Sequence, residues 1–433
     1  MFNRLAYKIS VSIVSIVGLL GISVPSAYAE EVSTISAGDT AWVLVSSALV
    51  LAMTIPGLAL FYGGMVRSKN ILSTMMHSFI AVCLVSVVWV LWGYSLAFAP
   101  DVGGIIGNLQ WFGLDGVGPD PLEGSTIPHL AFMVFQLMFA GITVALISGA
   151  IAERMKFSAF VVFSILWVTF IYAPLAHWVW GGGWLAGLGE LDFAGGTVVH
   201  ISSGVAALAC ALVLGKRHGY GSENMAPHNL PLTVVGASLL WVGWFGFNAG
   251  SALAADGLAA GAFVATHVAT ASGALAWLTV EWGYRGKPTL LGAASGAVAG
   301  LVAITPAAGY VTPVFAILIG LGGGIVCYLG VFVKNKLGYD DALDVLGIHG
   351  IGGTWGALAT GLFASVGGGT GLVFGNPAQM VIQAVGVTAT WVFAFVGTFL
   401  ILKTIDLTIG LRVSKEDEIL GLDLSQHSER AYA

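Results

Sequence analysis

The chain is predicted to be an all-α polytopic membrane protein of eleven transmembrane helices, with its N-terminus outside and its C-terminus inside. Three observations predict this. Hydrophobic residues make up 57% of the 433 and charged residues only 9%, against about 25% charged in a soluble domain, so no water-exposed surface can be built from the mixture. Eleven apolar runs lie near the roughly 20 residues that a crossing needs. Every basic residue beyond the first 29 falls on one side of the resulting topology, which by the positive-inside rule is the cytoplasm.

Taken in order, residues 1–29 read as a secretory signal peptide. Arg4 and Lys8 form its basic start, Ile9 to Ile22 its apolar centre, and Ala27-Tyr28-Ala29 its small-residue cleavage pattern. The competing reading of this stretch is a retained twelfth helix; acidic Glu30 and Glu31 favour cleavage. The crossings follow at 40–61, 72–98, 129–150, 157–176, 194–214, 229–250, 258–280, 289–305, 313–333, 346–366 and 379–403. The run 289–305 is short and ends at Pro306. A tail, 412–433, is too short to fold alone and carries both charge signs, so it is expected to dock on the inner loops.

The loops test the count. Odd-numbered crossings end in Arg67/Lys69, Arg154/Lys156, Lys216/Arg217, Arg285/Lys287, Lys334/Lys336 and Lys403/Arg412. Even-numbered ones end in loops with Asp101, Asp115, Asp120, Glu123, Glu190, Asp192 and Asp256, and no Lys or Arg. Adding or dropping one helix would destroy this sorting. Segments one to five (about 40–214) and six to ten (229–366) then enter from opposite sides, the inverted repeat common among transporters.

Two histidines stand out. His200, in GGTVVHISSG, and His349, in LGIHGIGG, sit early in the fifth and tenth segments, in matching places of the two halves. Ionisable residues at membrane depth are costly and usually mark a substrate or proton pathway. Helix counting alone leaves them at different depths, so contact between them requires tilted or broken helices. His267 has no counterpart in the other half and reads as a packing histidine with a satisfied hydrogen bond. His77, His129 and His177 lie near segment ends, where a wet environment explains them. Cys83, Cys210 and Cys327 lack paired spacing and read as small core residues.

Phe135 and Phe139 share a face of the third segment, and Trp180 lies in the external glycine-rich HWVWGGGW, which reads as a loop able to fold back. Aromatic faces attract cations most where water is excluded; the alternative is plain packing against lipid or neighbouring helices. Asp192, eight residues before His200, suits a helix N-terminus, and could also supply negative potential for an arriving cation. Ser251 offers a hydroxyl at the end of the sixth segment. No nucleotide loop, paired-carboxylate site or HExxH motif occurs, so no enzyme activity, cofactor or metal is expected.

The stretches GGTVVH (195–200), GWFGFNAGSA (243–252), HGIGG (349–353), TIPGLALFYGGMVRSKN (54–70) and DLTIGLRV (406–413) resemble the Amt/Mep/Rh ammonium transporter family, bacterial Amt branch. The resemblance runs from about residue 36 to the end. It implies a homotrimer in the bacterial plasma (inner) membrane, with a separate eleven-helix pore in each subunit and no nucleic-acid partner. Phe135, Trp180 and Ser251, with Phe139 beneath, would bind ammonium or methylammonium at the outer face. Phe139 and Phe247 would stack as a gate, His200 and His349 would share a hydrogen bond inside a hydrophobic pore, and Asp192 would support the outer site. A PII-type regulatory protein would bind the cytoplasmic face. A sensor on the same fold is the alternative, although it usually brings an extra signalling domain that this short tail lacks. The tail departs from the family pattern in reading SQHSER, with Ser428 where a glycine usually follows the histidine.

Overall fold

The computed structural model describes residues 34–432; the expected signal peptide and its cleavage site lie outside the described residues. Among the described residues the regular structure is helical apart from one two-strand hairpin. Nine helices are long and apolar enough to cross a membrane among the described residues: α1 (Ala37–Met65), α2 (Ser68–Phe98), α3 (His129–Ile151), α4 (Phe157–Leu188), α5 (Gly196–Leu214), α6 (Leu230–Gly250), α7 (Gly257–Arg285), α9 (Pro313–Leu337) and α11 (Pro377–Thr408). Two shorter helical segments complete the bundle. α8 (Leu290–Ile304) has 15 residues, and α10 runs through Leu346–Gly350 and Ile351–Phe363. The helices are apolar nearly all round because one side faces the bundle and the other faces lipid, so a buried stripe and a polar stripe are not distinguished.

Several ends are set by local chemistry. Ser36 accepts from Asp39 N–H at the start of α1, Asp256 from Leu258 and Ala259 at the start of α7, and Thr289 from Gly292 at the start of α8. α4 departs from the expected span: its coil runs on past 176 to Val179, Trp180 caps that stretch, and after three glycines a short piece, Trp184–Leu188, completes the segment, so the tryptophan ends a helical stretch rather than lying in a loop. Its position is held from α2 and from the hairpin of β1 (Asp101–Val102) and β2 (Ile106–Gly107). His177 bonds the Ala97 carbonyl at 3.0 Å and Asp101 at 2.8 Å, and Trp178 Nε1 donates to the Ile105 carbonyl at 2.9 Å.

Loops following odd-numbered helices meet at one end of the bundle. Glu153 pairs with Arg67 at 2.7 Å and Arg217 at 3.3 Å, and Arg217 also holds Asp340 at 2.9 Å. The tail closes this basic end. Its two short helices, α12 (Lys415–Leu420) and α13 (Leu422–His427), are tied down by Arg412 donating to the carbonyls of Leu214 and Lys216. Lys69 reaches the Glu418 and Ile419 carbonyls, and Asp423 accepts from Ser73 N–H at 2.8 Å. Ser428 caps α13 at φ 56°, in the left-handed region. That conformation costs a side chain about 1–2 kcal/mol, which explains the glycine expected there.

Several histidine and cysteine expectations are overturned. His77, His129 and His177 are all buried rather than wet: His129 bonds Tyr94 Oη at 2.6 Å, and His77 packs edge-on to Phe160. His267 is exposed on the flank of α7, its ring tilted against Trp241 with centroids 5.4 Å apart, with no side-chain hydrogen bond among the described residues. Cys83 is likewise exposed, whereas Cys210 and Cys327 are buried.

Candidate functional site: an aromatic cup leading to a paired-histidine pore

At the acidic end, opposite the tail, α3, α4 and α6 converge on a cavity of about 300 Å³ lined by Phe135, Phe139, Trp180 and Ser251, together with Phe132, Gln136, Phe193 and Leu253. The four residues singled out from the sequence are thus in one place. Phe135 meets Phe139 edge-on, with centroids 4.9 Å apart, and Phe139 meets Trp180 edge-on at 5.9 Å. Ser251 donates its hydroxyl hydrogen to the Phe247 carbonyl at 2.8 Å, so what it presents to the cup is its lone pairs. Ring faces plus an oxygen acceptor suit a small cation that carries N–H donors.

Gln136, Phe132, Phe193 and Leu253 were not singled out beforehand. Gln136 carried a usable signal, being a polar residue inside an apolar helix next to Phe135.

The floor of the cup is a pair of stacked rings, Phe139 and Phe247, with centroids 4.2 Å apart and planes 29° from parallel. Below them lies a narrow apolar passage lined by Leu58, Ile142, Leu146, Val199, Trp244 and Val298, with His200 and His349. Space for the centre of a water-sized molecule amounts to about 10 Å³, at the limit for one water.

The two histidines meet there. His349 Nδ1 lies 3.2 Å from His200 Nδ1, and both rings are buried. Each histidine stands on a widened first part of its helix, which runs on without a break. α5 opens into a wide π-type turn over Gly196–Ile201 and α10 does so over Leu346–Gly350. Close approach needs a small residue at the crossing: a Cβ on Gly204 of α5 would lie 2.1 Å from Gly350 N of α10.

The hydrogen-bond inventory fixes the direction of the shared bond. Thr305 Oγ1 donates to the Leu301 carbonyl at 2.8 Å and accepts from Trp244 Nε1 at 2.9 Å. Its remaining capacity toward His200 Nε2, at 3.3 Å, is as an acceptor. His200 therefore carries its proton on Nε2, its Nδ1 accepts from His349 Nδ1–H, and His349 Nε2 is left as an acceptor.

Each histidine has an aspartate eight residues earlier in the chain, just ahead of its turn. Asp192 accepts from the N–H groups of Gly195, Gly196, Thr197 and Val198 and from the Thr197 hydroxyl, at 2.5–3.3 Å. These are donors that a helix start leaves without partners. Asp341 accepts from Leu346 N–H at 2.8 Å in the same way. Asp192 also joins the cup, since its carbonyl accepts from Trp180 Nε1 at 2.9 Å.

Comparison with known proteins identifies the family. The profile of the Ammonium Transporter Family matches residues 41–432. The chain belongs to that family. It is 58% identical to an ammonium transporter of Bacillus subtilis over 91% of this chain and 98% of that one. It is 51% identical to ammonium transporter Amt1 of Archaeoglobus fulgidus, over 92% of this chain and 100% of the other. Among solved structures, Mep2 of Candida albicans superposes with a TM-score of 0.85 at 40% identity, over 92% of this chain and 91% of that chain. A protein described as a sensor Amt protein superposes with a TM-score of 0.84 at 31% identity, covering 90% of this chain and 98% of the other.

Replacing Asp192 by Ala strips five donors of their acceptor, four of them at the start of α5. Hydrogen bonds to a charged group contribute roughly 1.5–3 kcal/mol each, so Asp192→Ala should destabilise by at least about 3 kcal/mol and disorder the turn that carries His200. Thermal unfolding of the detergent-purified protein, beside Asp192→Asn, checks this; unchanged melting would remove Asp192 from its anchoring role.

Proposed function

We propose that this protein takes up ammonium, binding the cation in the aromatic cup, removing its proton there and passing ammonia through the paired-histidine passage into the cytoplasm. The observation that supports it most is the continuous line from Phe135, Trp180 and Ser251, past the Phe139–Phe247 stack, to His200 and His349. A bare cation in so apolar a passage would cost several kcal/mol at least, and tens in the ideal case. Neutral ammonia avoids that cost. It can also donate to His349 Nε2, which potassium cannot do.

The proposal extends to the assembly. The chain has eleven crossings, counting α8 and α10, with the N-terminus out and the C-terminus in, as two inverted five-helix repeats and a final helix. It acts as a homotrimer in the bacterial inner membrane, after removal of residues 1–29. The sorting of basic residues to one end supports the orientation, and the matched histidine turns of α5 and α10, each with its leading aspartate, support the repeat.

The cup and the passage make separable predictions. Trp180→Ala with Ser251→Ala should raise the half-saturating ammonium concentration several-fold while lowering the maximal rate less. Ammonium-evoked currents on a solid-supported membrane read this, and an unchanged concentration dependence would count against the cup.

His200→Asp places an anion in the passage, so potassium should begin to permeate. His349→Ala removes the donor to His200 and should slow ammonium conduction or alter its charge coupling while the fold survives. Ammonium and potassium fluxes of both variants and wild type in the same liposomes decide this; identical selectivity and rate in all three would make the histidines structural.

At the basic end, a PII-type nitrogen-signalling protein is the proposed regulator, with the docked tail as part of its landing surface. Pull-down from membranes of cells in nitrogen excess should recover such a partner, and its absence would leave the tail with an internal role only.

A further inference from the structure

Two residues before Asp192 stands a carboxyl that the transport path does not use. Glu190 lies in the link between α4 and α5, and its N–H donates to the Leu185 carbonyl at 3.1 Å. Glutamines of α11 fix the peptides on either side of it. Gln379 Nε2 donates to the Gly189 carbonyl at 2.9 Å; Gln383 accepts from Leu191 N–H at 2.8 Å and donates to the Leu191 carbonyl at 2.9 Å. With both neighbours tied down, the Glu190 side chain presses on α11 at Gly386, where a Cβ would lie 2.3 Å from Oε1 and 2.7 Å from Oε2. The missing side chain of Gly386 is the room that the carboxyl fills. Glu190 is 8% exposed, and neither of its oxygens has a hydrogen-bond partner.

The surroundings of this carboxyl offer it little compensation, only the Thr197 hydroxyl opposing the effect of its burial. α11 presents it with Gly386 and the uncharged Gln379 and Gln383. The Thr197 hydroxyl of α5 is committed to Asp192 at 2.5 Å. Among the described residues, the charged group that Glu190 feels is Asp192, whose field also reaches the phenols of Tyr172 and Tyr310. Asp192 has both of its carboxylate oxygens occupied by donors. A second charge beside it is opposed by desolvation and by like-charge repulsion. Burial first, and then Asp192, push Glu190 up to about 8.

We propose that Glu190 is an affinity-determining residue of the cation cup, neutral while protonated and, once ionised, a second negative charge beside Asp192 that strengthens cation binding. This rests on the reading of the cup as an ammonium site. Asp192 links the two places, since its carbonyl holds Trp180 and its neighbour Phe193 lines the cup. The sign follows: raising the pH ionises Glu190 and tightens binding, while a bound cation favours the charged form and lowers the pH at which Glu190 loses its proton. The two effects are one coupling and must be equal in size.

The test is an infrared pH titration of reconstituted wild type and Glu190→Gln, with and without saturating methylammonium, which remains cationic across the range. Wild type should show the carbonyl band of a protonated buried acid at neutral pH, fading near pH 8 and absent from Glu190→Gln. Methylammonium should lower its midpoint by about one unit, equivalent to about tenfold in affinity. In proteoliposomes the half-saturating methylammonium concentration should then fall by the same factor across that range in wild type and stay flat in Glu190→Gln. A midpoint that methylammonium does not move, or a Glu190→Gln protein that keeps the wild-type pH profile, overturns the proposal. The wild-type shift requires no variant to fold. If wild type carries no methylammonium current, the transport reading fails, while the infrared shift still reports whether a bound cation and Glu190 are coupled.

Discussion

The contact between His200 and His349 sets conditions that much of the bundle meets. Two imidazoles from different helices share a hydrogen bond in an apolar passage, so their backbones must come closer than side-chain packing allows. Gly204 against Gly350 supplies the approach. Starting each of these helices below the surface leaves first-turn backbone donors at a depth where no water can satisfy them. Asp192 and Asp341 exist at the right distance along the chain to accept from those turns or their starts. Thr305 and Trp244 complete the arrangement by fixing which nitrogen of His200 carries its proton.

The same aspartate couples the passage to its entrance. Asp192 fixes the start of α5 through its side chain and Trp180 through its carbonyl, so one short link aligns the cup with the histidines. Trp180 is itself held from behind, because the end of α4 is bonded to Ala97 and to the β1–β2 hairpin. The cup therefore stands on rigid elements, and its acceptor, Ser251, is at the cap of a helix rather than on a free loop.

Much of this was legible in the sequence because membrane crossings obey few rules. Apolar length gave the helices, within a few residues at most ends, and the basic residues sorted the loops. The histidines were legible through their matched places in the two halves. What the sequence could not supply was anything decided by neighbours distant along the chain. His77, His129 and His177 read as wet because they lie near segment ends, yet tertiary partners bury them. Trp180 read as a loop residue because GGG follows it, although the coil of α4 persists up to that point. Glu190 looked like one more acidic loop residue, since nothing local announces that Gln379 and Gln383, almost 200 positions later, will turn it inward.

The tail has a consequence for how the protein is made. Residues Leu411 to His427 hold together loops contributed by Asn70, Ser73, Lys156, Leu214 and His218. These loops leave the ribosome hundreds of residues before the segment that joins them. Until residues 411–427 are made, Lys69 and the His218 N–H lack the carbonyl and carboxylate partners that Glu418 and Ile419 supply. Residues 411–427 thus act as the closing clasp of the basic face, and a chain terminated before them would carry an assembled passage with an unfinished underside.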